Sequence, residues 1–216
     1  MLYHHRSFPV FGVSTPLRLL ALWVALAVSS LAQAQDGSFT NAGLELHYSS
    51  TGTGQPLIFL SGGPGLDVDY MKPAADFMPS DYRSIFFEQR GTGRSRPAAP
   101  ESLTLKTVVA DLEALRKHLK QDRLLLIGHS WGGMLAMAYA AEHPEHVDRL
   151  ILIGSGGPTM EFFDWFGDNI DARLRTEDRE AANYWMAAME RGVDPQKAVV
   201  ESLRARTPGY FFEGHD

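Results

Sequence analysis

Hydrophobic positions along residues 38–157 alternate between two patterns. Residues 44–51 (LELHYSST) switch between apolar and polar side chains, the period-two signature of a half-buried strand. Gly52 and Gly54 mark a turn after it. Residues 56–60 (PLIFL) are a short apolar run that ends in SGGPG, and residues 82–88 (YRSIFFE) are a second strand candidate that ends in QRGTGRSRP. Residues 67–78 between them are read as helical. Leu105, Val108, Val109, Leu112, Leu115 and Leu119 share one face at helical spacing, with Thr104 placed as N-cap. RLLLIGHS (123–130) then reads as strand, GGMLAMAYAAEH (132–143) as helix stopped by Pro144, and VDRLILIG (147–154) as strand. Continuous apolar strands alternating with helices predict an α/β domain, its mostly parallel sheet covered by helices on both faces.

After Gly157 the strand signals vanish. MEFFDWF (160–166) is rich in aromatics, and residues 177–191 are helical in pattern, with Tyr184, Trp185, Ala188 and Met189 on one side. Asp194-Pro195 supplies an N-cap and a first-turn proline for a helix running to about Arg206, which Thr207-Pro208 ends. A helical segment is thus appended to an unfinished α/β pattern.

The chain has 216 residues, 44% hydrophobic and 21% charged, ordinary values for one globular domain. A net charge of −6 without a long Lys or Arg run argues against a nucleic-acid partner. The absence of cysteine removes thiol nucleophiles, Cys-ligated zinc and iron–sulfur clusters. Residues 1–34 follow other physics. His4, His5, Arg6 and Arg18 precede the apolar run LLALWVALAVSSLA (19–32), which ends in Ala32-Gln33-Ala34. That order is a secretory signal peptide, with cleavage expected after Ala34 and an exported product, periplasmic or secreted. The apolar run is short for a membrane span, which needs about 20 residues. No stable membrane insertion is therefore expected once it is removed.

The candidate chemistry is concentrated in Gly128-His129-Ser130-Trp131-Gly132. It matches G-x-S-x-G with a strand before it and a helix after it, the setting that puts a serine on a sharp, exposed turn. Gly128 and Gly132 allow strand and helix to close around Ser130. A serine hydroxyl needs a base, and the base needs an orienting acid. Adjacent residues in such a turn point apart, so His129 is read as packed or hydrogen-bonded beneath it and not as the base. The other two signals are GGPG (62–65) and EQRGTGRS (88–95), each following a strand.

Together these three motifs resemble the α/β-hydrolase superfamily, and more narrowly the branch of the proline iminopeptidases (prolyl aminopeptidases). That branch shows His-Gly-Gly-Pro-Gly, then Asp-Gln-Arg-Gly-x-Gly-x-Ser, then Gly-x-Ser-Trp-Gly. The resemblance covers residues 38 to 157. It departs at Ser61, Glu88 and His129, where the family has His, Asp and commonly Gly. It implies Ser130 as the catalytic nucleophile, with the Trp131 and Gly63 N–H groups as the oxyanion hole and Gly62 and Gly65 shaping the loop. No cofactor or metal is called for. Arg90 and Arg94 are read as loop braces.

In this fold the acid and then the histidine follow the serine in sequence. His143 and His146 flank Pro144 at the opposite end of the sheet, His215 is penultimate, and Asp148 begins its strand. Asp164, Asp168 and Asp171 fall in the helical segment. The triad acid and base are accordingly expected beyond residue 216. The expected division is a signal peptide (1–34), a partial hydrolase core (35–157) and a partial helical cap (158–216), with the C-terminal strands missing. The reading is a serine hydrolase of proline iminopeptidase type acting on a short peptide. The alternatives are an esterase or other small-molecule hydrolase, or an inactive truncated fragment. Oligomeric state is left open.

Overall fold

The computed structural model describes residues 35–159 and 161–211. The predicted signal peptide and His215 lie outside them. The chain divides after Gly154 into two compact units, three residues before the boundary expected from the sequence.

The first unit is built on a six-stranded sheet: β1 (Gln35–Asn41), β2 (Leu44–Gly52), β3 (Gln55–Leu60), β4 (Tyr82–Glu88), β5 (Leu124–His129) and β6 (Val147–Ile153). Their order is β1-β2-β4-β3-β5-β6. β4, β3, β5 and β6 run parallel, whereas β2 pairs antiparallel with both β1 and β4. The apolar runs fill the middle of this order because a central strand is buried on both faces. Ile58, Leu60, Ile85, Phe87, Leu124 and Leu126 point to one face. They pack there against α1 (Leu105–His118) and α2 (Trp131–Glu142) through Val109, Leu112, Leu115, Leu135 and Tyr139. Leu57, Phe59, Phe86, Leu125 and Ile127 point to the other face, where Val68 and Met71 cover them.

Val68 and Met71 belong to Val68–Phe77, read from the sequence as part of a helix and found as a 3₁₀ segment containing Pro73. Proline has no N–H to give to an α-helical ladder, so this stretch stays in short, tight turns. β1 carries no hydrophobic signal (QDGSFTN) and is made by its antiparallel pairing with β2. Of its residues, Phe39 packs against the core.

The loop after β4 is braced by the ion pairs of two arginines. The buried Arg90 guanidinium donates to both Asp111 carboxylate oxygens, at 2.7 and 2.8 Å, and Asn41 Nδ2 donates to the same carboxylate at 2.7 Å. These bonds join the end of β1, the loop and α1. Arg94 donates to Glu88 (2.6 Å from Nη2) and to Asp36 (2.7 Å from Nη1). Both arginines are thus committed to loop structure.

The second unit consists of α3 (Glu161–Asp171), α4 (Thr176–Glu190) and α5 (Pro195–Arg206), followed by a 3₁₀ turn, with no strand among its described residues. Asp194 caps α5 by accepting from the Lys197 N–H at 3.2 Å. Phe162, Phe166 and Tyr210 form an aromatic series, and Arg206 pairs with Asp171 at 2.8 Å. No helix among the described residues is long and apolar enough to cross a membrane.

Candidate active site

β5 stops at His129, and α2 starts at Trp131, so Ser130 alone makes the turn between them. Its backbone takes φ 53° and ψ −118°. A non-glycine residue at positive φ is sterically disfavoured and is held only where its surroundings over-determine it. Here they do. The Ser130 N–H donates to the Ile153 carbonyl at 3.0 Å, and its own carbonyl accepts from the Gly133 N–H at 3.0 Å.

The flanking glycines are spaces that backbone fills. A Cβ on Gly132 would meet the Leu60 carbonyl carbon at 2.6 Å and the Ser61 oxygen at 2.7 Å. A Cβ on Gly128 would stand 2.5 Å from Gly133 Cα. Real side chains cannot enter either gap, which is why the motif demands glycine on both sides of the serine.

The Ser61–Leu66 loop lies beside this turn because Leu60 and Gly128 are partners in the β3–β5 ladder. A Cβ on Gly62 would come within 3.1 Å of both Ser130 Cβ and His129 Nδ1. The next residue, Gly63, takes φ 119°, a conformation open to glycine. Buried Gln89 holds the start of the loop. Its Nε2 donates to the Ser61 carbonyl at 2.9 Å, and its Oε1 accepts from the Trp131 indole N–H at 3.2 Å. Ser61 Oγ donates onward to the Leu66 carbonyl at 2.9 Å.

The structure therefore brings together Ser130, Trp131 and the Gly62–Gly63 step. Ser130 and the Trp131 N–H occupy the start of α2, where unpaired amides and the helix dipole favour negative charge. A recess of about 250 Å³ opens at Trp131, lined by Pro64, Gly65, Leu103, Leu105 and Val108 together with the polar Gln89, Arg90, Thr92 and Thr104.

Two contributors escaped the sequence reading. Gln89 lay inside a recognised motif without a role, and Tyr70 gave no signal at all. The Tyr70 hydroxyl sits 2.8 Å from the Gly62 amide nitrogen and 2.7 Å from His129 Nδ1. His129 is thus a hydrogen-bonded residue of the turn. His143 and His146 lie before β6, at the far end of a sheet in which β5 and β6 are parallel. Asp148 occupies a register shift at the start of that ladder. Asp164, Asp168 and Asp171 all lie on α3. Among the described residues no group of three or more His, Asp or Glu side chains is placed to hold a metal ion.

Comparison with known proteins agrees with this fold. The family described as alpha/beta hydrolase fold matches residues 55–184, more than half of the chain. The chain belongs to that family. Curated relatives that match the chain include proline iminopeptidases. The Arabidopsis thaliana enzyme is 38% identical over 140 residues, covering 64% of this chain and 37% of its own length. That of Neisseria meningitidis serogroup A is 41% identical over 113 residues, covering 51% and 36%. The Xylella fastidiosa strain Temecula1 enzyme is 41% identical, covering 60% and 42%. The chain thus spans about two fifths of the length of those relatives. A solved alpha/beta hydrolase from Novosphingobium aromaticivorans superposes with a TM-score of 0.54 at 27% identity, covering 74% of this chain and 57% of that one.

Proposed function

We propose that this chain carries the nucleophile and oxyanion-binding part of a serine hydrolase that removes N-terminal proline from short peptides. The observation that carries the reading is Ser130 at positive φ, at the start of α2 and against the Gly62–Gly63 step. In this reading Ser130 Oγ bonds to the carbonyl carbon as the C=O π pair moves to the oxygen; the hydroxyl proton passes to a general base, which gives it to the amine when the C–N bond breaks. The Trp131 and Gly63 N–H groups receive that oxygen. Each such donor is worth about 3–4 kcal/mol in comparable sites. The neighbouring apolar recess suits a pyrrolidine ring, because its polar members are already paired. Gln89 is engaged by Ser61 and Trp131, and Arg90 by Asp111. The proline iminopeptidase relatives support the substrate class.

The test uses the full-length protein with proline p-nitroanilide and a short p-nitrophenyl ester, alongside fluorophosphonate labelling. Ser130→Ala is expected to abolish labelling and nearly all turnover. Undiminished turnover in that variant would falsify the assignment. Preference for the ester over the proline amide would move the substrate class to esters and leave the nucleophile standing.

A further inference from the structure

Tyr70 lies in the 3₁₀ segment after the Ser61–Leu66 loop, and its hydroxyl makes two contacts that constrain each other. One is with the Gly62 amide at 2.8 Å, the other with His129 Nδ1 at 2.7 Å. A backbone amide can only donate, so the hydroxyl oxygen accepts from Gly62. The hydroxyl keeps one proton to give, and Nδ1 lies in reach to accept it. With that proton given to Nδ1, His129 carries its own proton on Nε2. A directed chain results: Gly62 N–H to the Tyr70 oxygen, and the Tyr70 O–H to His129.

The chain spans the two halves of the site. Gly62 precedes Gly63 in the loop, and His129 precedes Ser130 in the turn. The remaining loop bonds hold other points: Gln89 grips Ser61, Ser61 grips Leu66, and the Leu66 N–H reaches the Gly62 carbonyl at a long 3.4 Å. The Tyr70 ring also meets the imidazole edge-on, centroids 5.6 Å apart at 76°.

We propose that Tyr70, seated on His129, is a positioning residue for the oxyanion hole. It holds Gly62, and through it the Gly63 N–H, at a set distance from Ser130. This rests on the serine-hydrolase reading above. Tyr70 touches no reacting atom; its effect runs through the loop. Donors that stabilise an oxyanion act only if they are in place before the charge forms. A misplacement of about 1 Å costs on the order of 100-fold in rate.

Tyr70→Phe in the full-length protein keeps the ring and its edge contact and removes only the hydroxyl. Phosphonylation of Ser130 by a fluorophosphonate is expected to slow by about 10- to 100-fold. Turnover of proline p-nitroanilide should lose kcat, with KM little changed. His129→Gln, whose carbonyl can accept from Tyr70, should retain most of the rate, whereas His129→Leu should match Tyr70→Phe. The ¹⁵N shifts of the His129 ring should show the Nε2–H form in the parent and a mixture of tautomers in Tyr70→Phe. Wild-type rates in Tyr70→Phe, with Ser130→Ala inert, would overturn the positioning role alone. Labelling that persists in Ser130→Ala would overturn the serine reading and this inference with it.

Discussion

Ser130 keeps its backbone conformation because the atoms around it leave no alternative. Gly132 is the plainest case, since any side chain there runs into the Leu60 carbonyl. Gly132→Ala is expected to destabilise the protein by about 1–3 kcal/mol or more, because backbone cannot move aside as a flexible side chain would. The midpoint of urea unfolding measures this, and an unchanged midpoint would contradict the packing described. At this scale the sequence was readable where the turn demanded a residue type: glycines at 128 and 132 around Ser130, between a strand and a helix. It was silent on Tyr70, because a tyrosine eight residues from Gly62 in a loop has no periodic or spacing signature. Its importance comes from where the 3₁₀ segment carries it. Ser61 and Gln89 were visible only as members of motifs, and their mutual hydrogen bond needed coordinates.

Between elements, α1 and α2 are joined by more than apolar packing. Glu113 on α1 accepts from Arg116 at 2.8 Å and from the buried Tyr139 hydroxyl of α2 at 2.9 Å. Arg116, then Tyr139 and Lys117, hold the Glu113 carboxyl down at about 2, from an ordinary 4.5, against the opposing effect of burial. Burial, with Glu113 beside it, pushes the Tyr139 hydroxyl up. A carboxyl lowered by folding contributes its full stability above its unfolded value, and loses that contribution as pH falls toward the folded one. Stability should therefore decline between about pH 4.5 and 2 in part through Glu113. Glu113→Gln should flatten that stretch of a stability–pH curve built from urea titrations, and an identical slope would exclude the link. The helices themselves were legible. Thr104 caps α1 as expected, accepting from the Thr107 N–H at 3.2 Å, and Asp194 caps α5. β1 was not, because a polar edge strand gains its structure from β2 and not from its own side chains. The stretch around Pro73 has apolar residues enough for a helix, and proline chemistry decides against one.

On the scale of the molecule, the sheet of the first unit ends at β6, whose neighbour in the described structure is β5. Ile151, Leu152 and Ile153 are each more than two fifths exposed there, on both faces of the strand. Unpaired edge groups flanked by apolar side chains invite pairing with other chains. The 216-residue chain should accordingly self-associate as its concentration rises in sedimentation velocity. Leu152→Lys should weaken that association, since a charge on an edge opposes pairing. A monomer at all concentrations would show that the edge is closed by other means. The same edge has a second consequence, through the Ile153 carbonyl that accepts the Ser130 N–H. The last rung of the β5–β6 ladder is the Ser130 amide, so the serine is only as still as the outermost strand. Fraying of β6 would release that proton to solvent before any other part of the turn opened. Hydrogen exchange can follow this directly. The Ser130 amide should exchange in step with the β6 amides and not with those of α2, and whatever stiffens the strand should slow both together. An amide that exchanges at the pace of α2 instead would mean that the turn is anchored from the helix side.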